Sequence, residues 1–224
     1  MAIHDISAVF FDMDGTLVDS EPLTEPTIKS LCHEGGIDAH EFDYSAFFGV
    51  SWLGIEQGLI ESYPQLAKQQ NIPLRLHNIY HRMLQENPPP LIRMSRESVI
   101  AANEVMPTAI VSSSGRETIE ETIRRMDITE NVSYYAGFED YERPKPAPDG
   151  YLKAADVLQV SPYECLVFED SIIGIRAAKS AGMKVVAITY RSNDIDLATE
   201  LADLAVTDFS SLRDQFFREI KKRV

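Results

Sequence analysis

Six short apolar runs, separated by segments of helical periodicity, limit what this 224-residue chain can become. AVFF (Ala8–Phe11), TAIV (Thr108–Val111), VSYY (Val132–Tyr135), CLVF (Cys165–Phe168), KVVAI (Lys184–Ile188) and LAV (Leu204–Val206) have the length of strands. Several are apolar on both faces, which suits a parallel sheet covered by helices on both sides. Between them, Val99, Ala102 and Met106 share a helical face, as do Ile119, Ile123 and Met126, and Leu212, Phe216 and Ile220 repeat at helical spacing. Ser114 with Glu117, and Ser161 with Pro162 and Glu164, have the pattern of capping boxes that start helices. Such β/α alternation predicts an α/β fold built on a doubly wound parallel sheet.

One region breaks the alternation. From Glu21 to about Asn87 the patterns are helical, with stripes at Trp52, Ile55 and Leu59 and at Leu76, Ile79, Tyr80, Met83 and Leu84. The triplet Pro88–Pro90 is a stiff extended connection that ends it. The predicted division is an α/β core of residues 1–18 and 91–224 with an all-helical insert, 19–90, after the first strand. An insert at the carboxyl end of a strand stands over the crevice where such folds bind ligands.

Charge narrows the partners. The formal net charge is −14. That surface repels nucleic acid and anionic membranes at long range, so neither is expected as a partner. An anionic substrate would need local cations. The cysteines, Cys32 and Cys165, form no disulfide framework or metal-ligand spacing and read as buried thiols of a reducing compartment. The amino-terminal stretch lacks the basic and long apolar segments of a signal peptide, and no apolar run reaches membrane-spanning length. A cytoplasmic protein, monomeric with a dimer as the alternative, is the expectation.

The chemistry-bearing residues sit where apolar runs end. Asp12 and Asp14 follow the first run, separated by one residue, and their mutual repulsion calls for a positive group, a metal being the natural one. Gly15 allows a tight turn, and Thr16 offers a hydroxyl and an N–H. Ser112 ends the second run in IVSSSGRE, where hydroxyls and helix-start N–H groups, with Ser113 and Ser114 beside it, make an anion site. Lys145 is held between Pro144 and Pro146, which aim a cation at little entropic cost. Glu169 and Asp170 end CLVF, before a helix begun by Ser171. A parallel sheet would bring these clusters to one edge. Carboxylates with one lysine form a hard-oxygen site suited to Mg2+ and phosphate. His77 and His81, four apart on a helix, read as solvated face residues rather than ligands.

In this order the clusters resemble the haloacid dehalogenase-like hydrolase superfamily over almost the whole chain. DMDGTLVDSE resembles its first motif, Ser112 its second, Lys145 in KPAPDGY its third and FEDS (Phe168–Ser171) its fourth. The helical insert after the first motif is similar to the cap of the subgroup containing phosphoglycolate phosphatase and β-phosphoglucomutase. The resemblance implies an Mg2+-dependent phosphatase of a small phosphorylated metabolite, of sugar phosphate or phosphoglycolate type, working through an aspartyl-phosphate. Asp12 would be the nucleophile, and Asp14 the general acid and base. Asp12, Asp14 through its backbone carbonyl, Glu169 and Asp170 would hold Mg2+, Glu169 alternatively orienting Lys145 or a ligand water. Lys145, Ser112, Ser113 and Thr16 would meet the phosphoryl group.

Two other functions share these residues. A phosphomutase would return the phosphoryl group to a sugar. Family mutases carry a basic residue in the first cap loop, whereas Phe47–Gly54 here has none, which favours hydrolysis. Lys29, Lys68, Arg75 and Arg82 could supply cap cations from elsewhere. A non-catalytic domain that merely accepts phosphate on Asp12 is the alternative of a different class; receivers of that kind are about half this length and have no cap. Dehalogenase chemistry is disfavoured by the presence of Asp14.

Overall fold

Side chains alternate across a strand, so each apolar run needs an apolar partner on both of its faces. A computed structural model describes residues 3–37, 44–47, 52–192, 194–213 and 215–222. In chain order the strands are β1 (Ala8–Phe11), β2 (Thr108–Val111), β3 (Tyr134–Ala136), β4 (Cys165–Glu169), β5 (Lys184–Ile188) and β6 (Leu204–Val206). The α-helices are α1 (Thr24–Glu34), α2 (Trp52–Ser62), α3 (Ile72–Glu86), α4 (Ser95–Asn103), α5 (Arg116–Arg125), α6 (Asp149–Val157), α7 (Ile172–Ser180), α8 (Ile195–Leu201) and α9 (Phe216–Ile220). The chain packs as two units, Met1–Asp19 with Leu91–Val224, and Ser20–Pro90.

In the first unit every strand pairing is parallel, in the order β3-β2-β1-β4-β5-β6. The strand order therefore reverses between β1 and β4, the switch point at which doubly wound sheets open a crevice. β1, β2 and β4 are buried at every position, while the edge strands β3 and β6 are only partly so. Val9, Phe11, Ile110 and Phe168 point to one face and pack with Val99, Ile119 and Phe217 of α4, α5 and α9. Phe10, Val111, Val167 and Val185 point to the other and meet Tyr151, Ala154 and Ile175 of α6 and α7. Phe11 and Phe168 are paired in register, and their rings stack with centroids 5.1 Å apart. That register carries the next residues, Asp12 and Glu169, to the same sheet edge.

Local expectations needed correction in a few places. α5 begins at Arg116 with Gly115 as its N-cap, so Ser114 is not the cap; its hydroxyl goes to Asp14 instead. Ser161 and Pro162 open only a single turn, Pro162–Glu164, because β4 starts at the next residue; the Glu164 carboxylate takes the Ser7 hydroxyl and Lys222. Leu212 precedes α9 and still packs on the core. β3 lies two residues later at its start than its apolar run, since its register pairs Ala109 with Tyr134.

The unit Ser20–Pro90 contains helices and single turns, with no strand among its described residues. Ile28, Leu31, Ile55, Leu59, Leu76 and Ile79 form its own core. The side chain of Trp52 and residues 48–51 of the first cap loop lie outside the described residues. His77 and His81 are half-buried rather than fully solvated, with ring centroids 6.2 Å apart. Lys29 pairs with Glu25, and Arg75 with Glu34, inside this unit. Cys32 and Cys165 are buried free thiols, and burial pushes the Cys165 thiol up to about 12. Among the described residues, no helix is long and apolar enough to cross a membrane.

Candidate active site

The loop after β1 is anchored by its apolar residues. Met13, Leu17 and Val18 are wholly buried, and the Leu17 and Val18 N–H groups both donate to the Met13 carbonyl. With Met13 turned into the core, Asp12 faces the α6 side of the sheet edge. Its N–H donates to the Phe168 carbonyl (2.9 Å), which extends the β1–β4 ladder by one residue. Gly15 has φ +79, and a Cβ there would stand 2.1 Å from Asp170 Oδ2, so both its backbone conformation and its surroundings call for glycine.

Asp12, Glu169 and Asp170 come together. Each is buried, and each offers a carboxylate oxygen within 4.8 Å of the others. An all-carboxylate donor set of this size is chemically suited to a hard divalent cation. Lys145 Nζ lies 2.6 Å from both Asp12 Oδ1 and Glu169 Oε1, and 3.3 Å from the Val111 carbonyl. Those three acceptors match the three N–H bonds of the ammonium. Burial pushes the Asp12 carboxyl up to about 8; Lys145 opposes this, while Glu169 and Asp14 add to it. Burial alone would lower Lys145, but Asp12 and Glu169 outweigh it and hold the ammonium well above its ordinary value.

Glu169 is fully enclosed. Oε1 accepts from Lys145 and from the Tyr151 hydroxyl (3.0 Å), and Oε2 accepts from the Ser171 N–H (3.1 Å) and hydroxyl (3.0 Å). A carboxylate has about four acceptor directions, and four donors take them. Ser171 also caps α7, its hydroxyl accepting from the Gly174 N–H. Burial and the neighbouring Glu169 push the Tyr151 phenol well above its ordinary value, so it remains a donor.

Asp14, only half-buried, sits on the other side of the loop with the serines. Its Oδ2 accepts from Ser114 Oγ (2.7 Å) and Ser112 Oγ (3.2 Å). Ser112 Oγ in turn accepts from the Ser114 N–H. Ser113, half-buried, occupies the same loop, and the Tyr141 hydroxyl braces it by donating to the Ser112 carbonyl (2.9 Å). Thr16 is wholly buried, and its hydroxyl donates to Asp170 Oδ1 (3.2 Å). Its side chain therefore orients an acid instead of reaching outward.

Several participants were not singled out from the sequence. Tyr151 ends the stretch KPAPDGY, but a tyrosine at a helical apolar position reads as core. Gly174 carried a signal, since glycine inside a helix is unfavourable without a reason such as a close approach. Ser114 reads from the sequence as a cap and as a neighbour of the anion site; its bond to Asp14 is not visible there.

The chain matches the haloacid dehalogenase-like hydrolase family over residues 9–188, a span that runs from β1 to the end of β5. It belongs to that family. Similar proteins include a phosphorylated carbohydrates phosphatase of Thermotoga maritima, 29% identical over 84% of this chain and 88% of that protein. Hexitol phosphatase B of Escherichia coli K12 is 28% identical over 93% and 95%. A solved hydrolase of the family from Entamoeba histolytica superposes with TM-score 0.77 at 27% identity, covering 97% of this chain and 100% of that one. Both of these curated relatives are named phosphatases, and this haloacid dehalogenase-like protein is an enzyme. The fold and family expected from its motifs are the ones found.

Proposed function

We propose that this hydrolase is a phosphatase of small phosphorylated, sugar-type metabolites. The carrying observation is the cluster at the β1–β4 switch point: a buried ammonium between Asp12 and Glu169, Asp170 alongside, and a second acid, Asp14, two residues beyond Asp12. The names of the curated relatives support the substrate class.

Asp12 would attack phosphorus while the bond to the substrate oxygen breaks, and Asp14 would give that leaving oxygen a proton. Water would then attack the aspartyl-phosphate, Asp14 taking its proton as the bond to Asp12 breaks and inorganic phosphate departs. Lys145 would stabilise the phosphoryl charge, with Ser112 and Ser113 on the opposite loop. Mg2+ fits the donor set: Asp12, Asp170 and the Asp14 backbone carbonyl would hold it, and bound there it would offset the paired acids and polarise a phosphoryl oxygen. Glu169, already engaged by four donors, would act mainly through Lys145. The pairing of Lys29 and Arg75 with acids of their own unit favours water over a second, phosphorylated acceptor.

Released phosphate from a panel of sugar phosphates, polyol phosphates and phosphoglycolate tests this. Turnover by the wild type that needs Mg2+, and none by Asp12→Asn at an unchanged melting temperature, is the expected result. Labelling by acetyl phosphate without turnover would leave only a phosphate-accepting domain. Transfer to a sugar in place of water would make the enzyme a mutase.

A further inference from the structure

Lys145 sits between two carboxylates that compete for it. Asp12 Oδ1 and Glu169 Oε1 lie at the same 2.6 Å, so nothing in the distances alone decides which acid the ammonium follows. Glu169 is the deeper of the two, with no exposed surface, and a buried anion served by one cation would draw that cation strongly. Tyr151 alters the balance. From α6 its hydroxyl donates to the same Oε1 at 3.0 Å, while its ring faces Lys145 Nζ at 5.1 Å. Ser171 fixes Oε2 through two bonds, so Glu169 cannot rotate away from this shared arrangement. A phenylalanine would fill the same space in the apolar layer of α6. The hydroxyl adds the 3.0 Å bond to Glu169 and a polar neighbour for Lys145, and burying it without that bond would be unfavourable.

We propose that Tyr151 is a positioning residue: by sharing Glu169 Oε1 with Lys145, it keeps the ammonium directed to Asp12 and the phosphoryl group. This rests on the phosphatase reading above. Without the phenol, Lys145 is drawn toward Glu169 and its contribution to the transferring charge falls, while substrate binding elsewhere is untouched.

The experiment is a double-mutant cycle in full-length enzyme with Mg2+, read by steady-state hydrolysis and by single-turnover rates for the slower variants. Tyr151→Phe lowers kcat about tenfold, leaves KM within about twofold, and lowers the melting temperature by about 2–8 °C, so the rates are read well below the transition. In a Glu169→Gln background the same change costs less than about twofold, because the phenol no longer has a charged oxygen to share. Replacing Tyr151 with 3-fluorotyrosine, which keeps ring and hydroxyl, retains wild-type kcat within about twofold. A wild-type kcat in Tyr151→Phe overturns the proposal, as does a tenfold loss that persists beside Glu169→Gln, or a loss that 3-fluorotyrosine shares. A wild-type enzyme that releases no phosphate from any substrate defeats the phosphatase reading instead.

Discussion

Gly174 stands so close to Glu169 that an added Cβ would lie 1.7 Å from Oε1 and 2.2 Å from Oε2. The first turn of α7 and the carboxylate that holds Lys145 thus occupy one space. Gly174→Ala must displace either the helix start or Glu169, and the four donors around Glu169 resist its movement. The expected outcome is a loss of about 2–4 kcal/mol in stability by denaturant titration, with kcat down at least a hundredfold. An alanine variant with wild-type kcat would show that the crowding is relieved without cost.

Asp12 leads to a metal prediction with a definite sign. Burial, against the pull of Lys145, raises its carboxyl from 3.8 to about 8 in the metal-free protein. The folded state therefore keeps a proton that the unfolded chain gives up near 3.8. The stability this proton confers is complete below that pH and gone once the pH has risen through about 8. A divalent cation binds the anion, so below about pH 8 its binding expels the proton. Mg2+ affinity measured calorimetrically should rise up to tenfold per pH unit between about pH 6 and 8 and level off above. Buffers of different ionisation enthalpy should report close to one proton released at pH 7. Asp12→Asn should remove the release.

The alternation of strands and helices was legible because β1, β2, β4 and β5 are buried on both faces, and only continuous apolar runs satisfy that. The ends were less so. Ser161, Pro162 and Glu164 resemble a helix start until the immediate onset of β4 leaves no length for one. The acids were visible as abrupt ends of apolar runs, but their partners were not. Lys145 meets Asp12 across 133 residues, and Asp19 meets Arg191 across 172. No local period encodes such pairs. They follow from strand order, which the sequence constrains only through the whole fold.

Asp203 tests the same linkage away from the site. Burial would raise its carboxyl, yet the Lys179 ammonium (2.7 Å), the Val185 N–H (2.9 Å) and Lys184 overcome this and hold it below the usual 3.8. A lowered pKa means stability that is present above 3.8 and lost as pH falls through the folded value. Asp203→Asn should cost about 1–2 kcal/mol at pH 7, and the gap to wild type should narrow as the pH falls below 3.8. Parallel denaturation curves from pH 7 to 3 check this; a gap independent of pH would assign the loss to packing alone.

Arg191 and Asp19 form a two-pronged pair, Nε to Oδ1 at 3.0 Å and an η nitrogen to Oδ2 at 2.7 Å. The Asp19 side chain is 6% exposed, whereas that of Arg191 is 43% exposed. Removing the arginine strands a nearly buried carboxylate; removing the aspartate returns a guanidinium to water. The two losses should therefore differ: about 2–3 kcal/mol for Arg191→Ala and about 1–2 kcal/mol for Asp19→Asn, with the double variant no worse than Arg191→Ala. Arg191→Lys should recover less than half of the loss, since an ammonium cannot span both oxygens. The pair joins the residue just before the second unit begins to the loop that follows β5, on the same sheet edge as Asp12. Breaking it should therefore lower kcat as well as stability. Equal stability losses from both single variants, or a full rescue by lysine, would mean the pair acts as an ordinary surface contact.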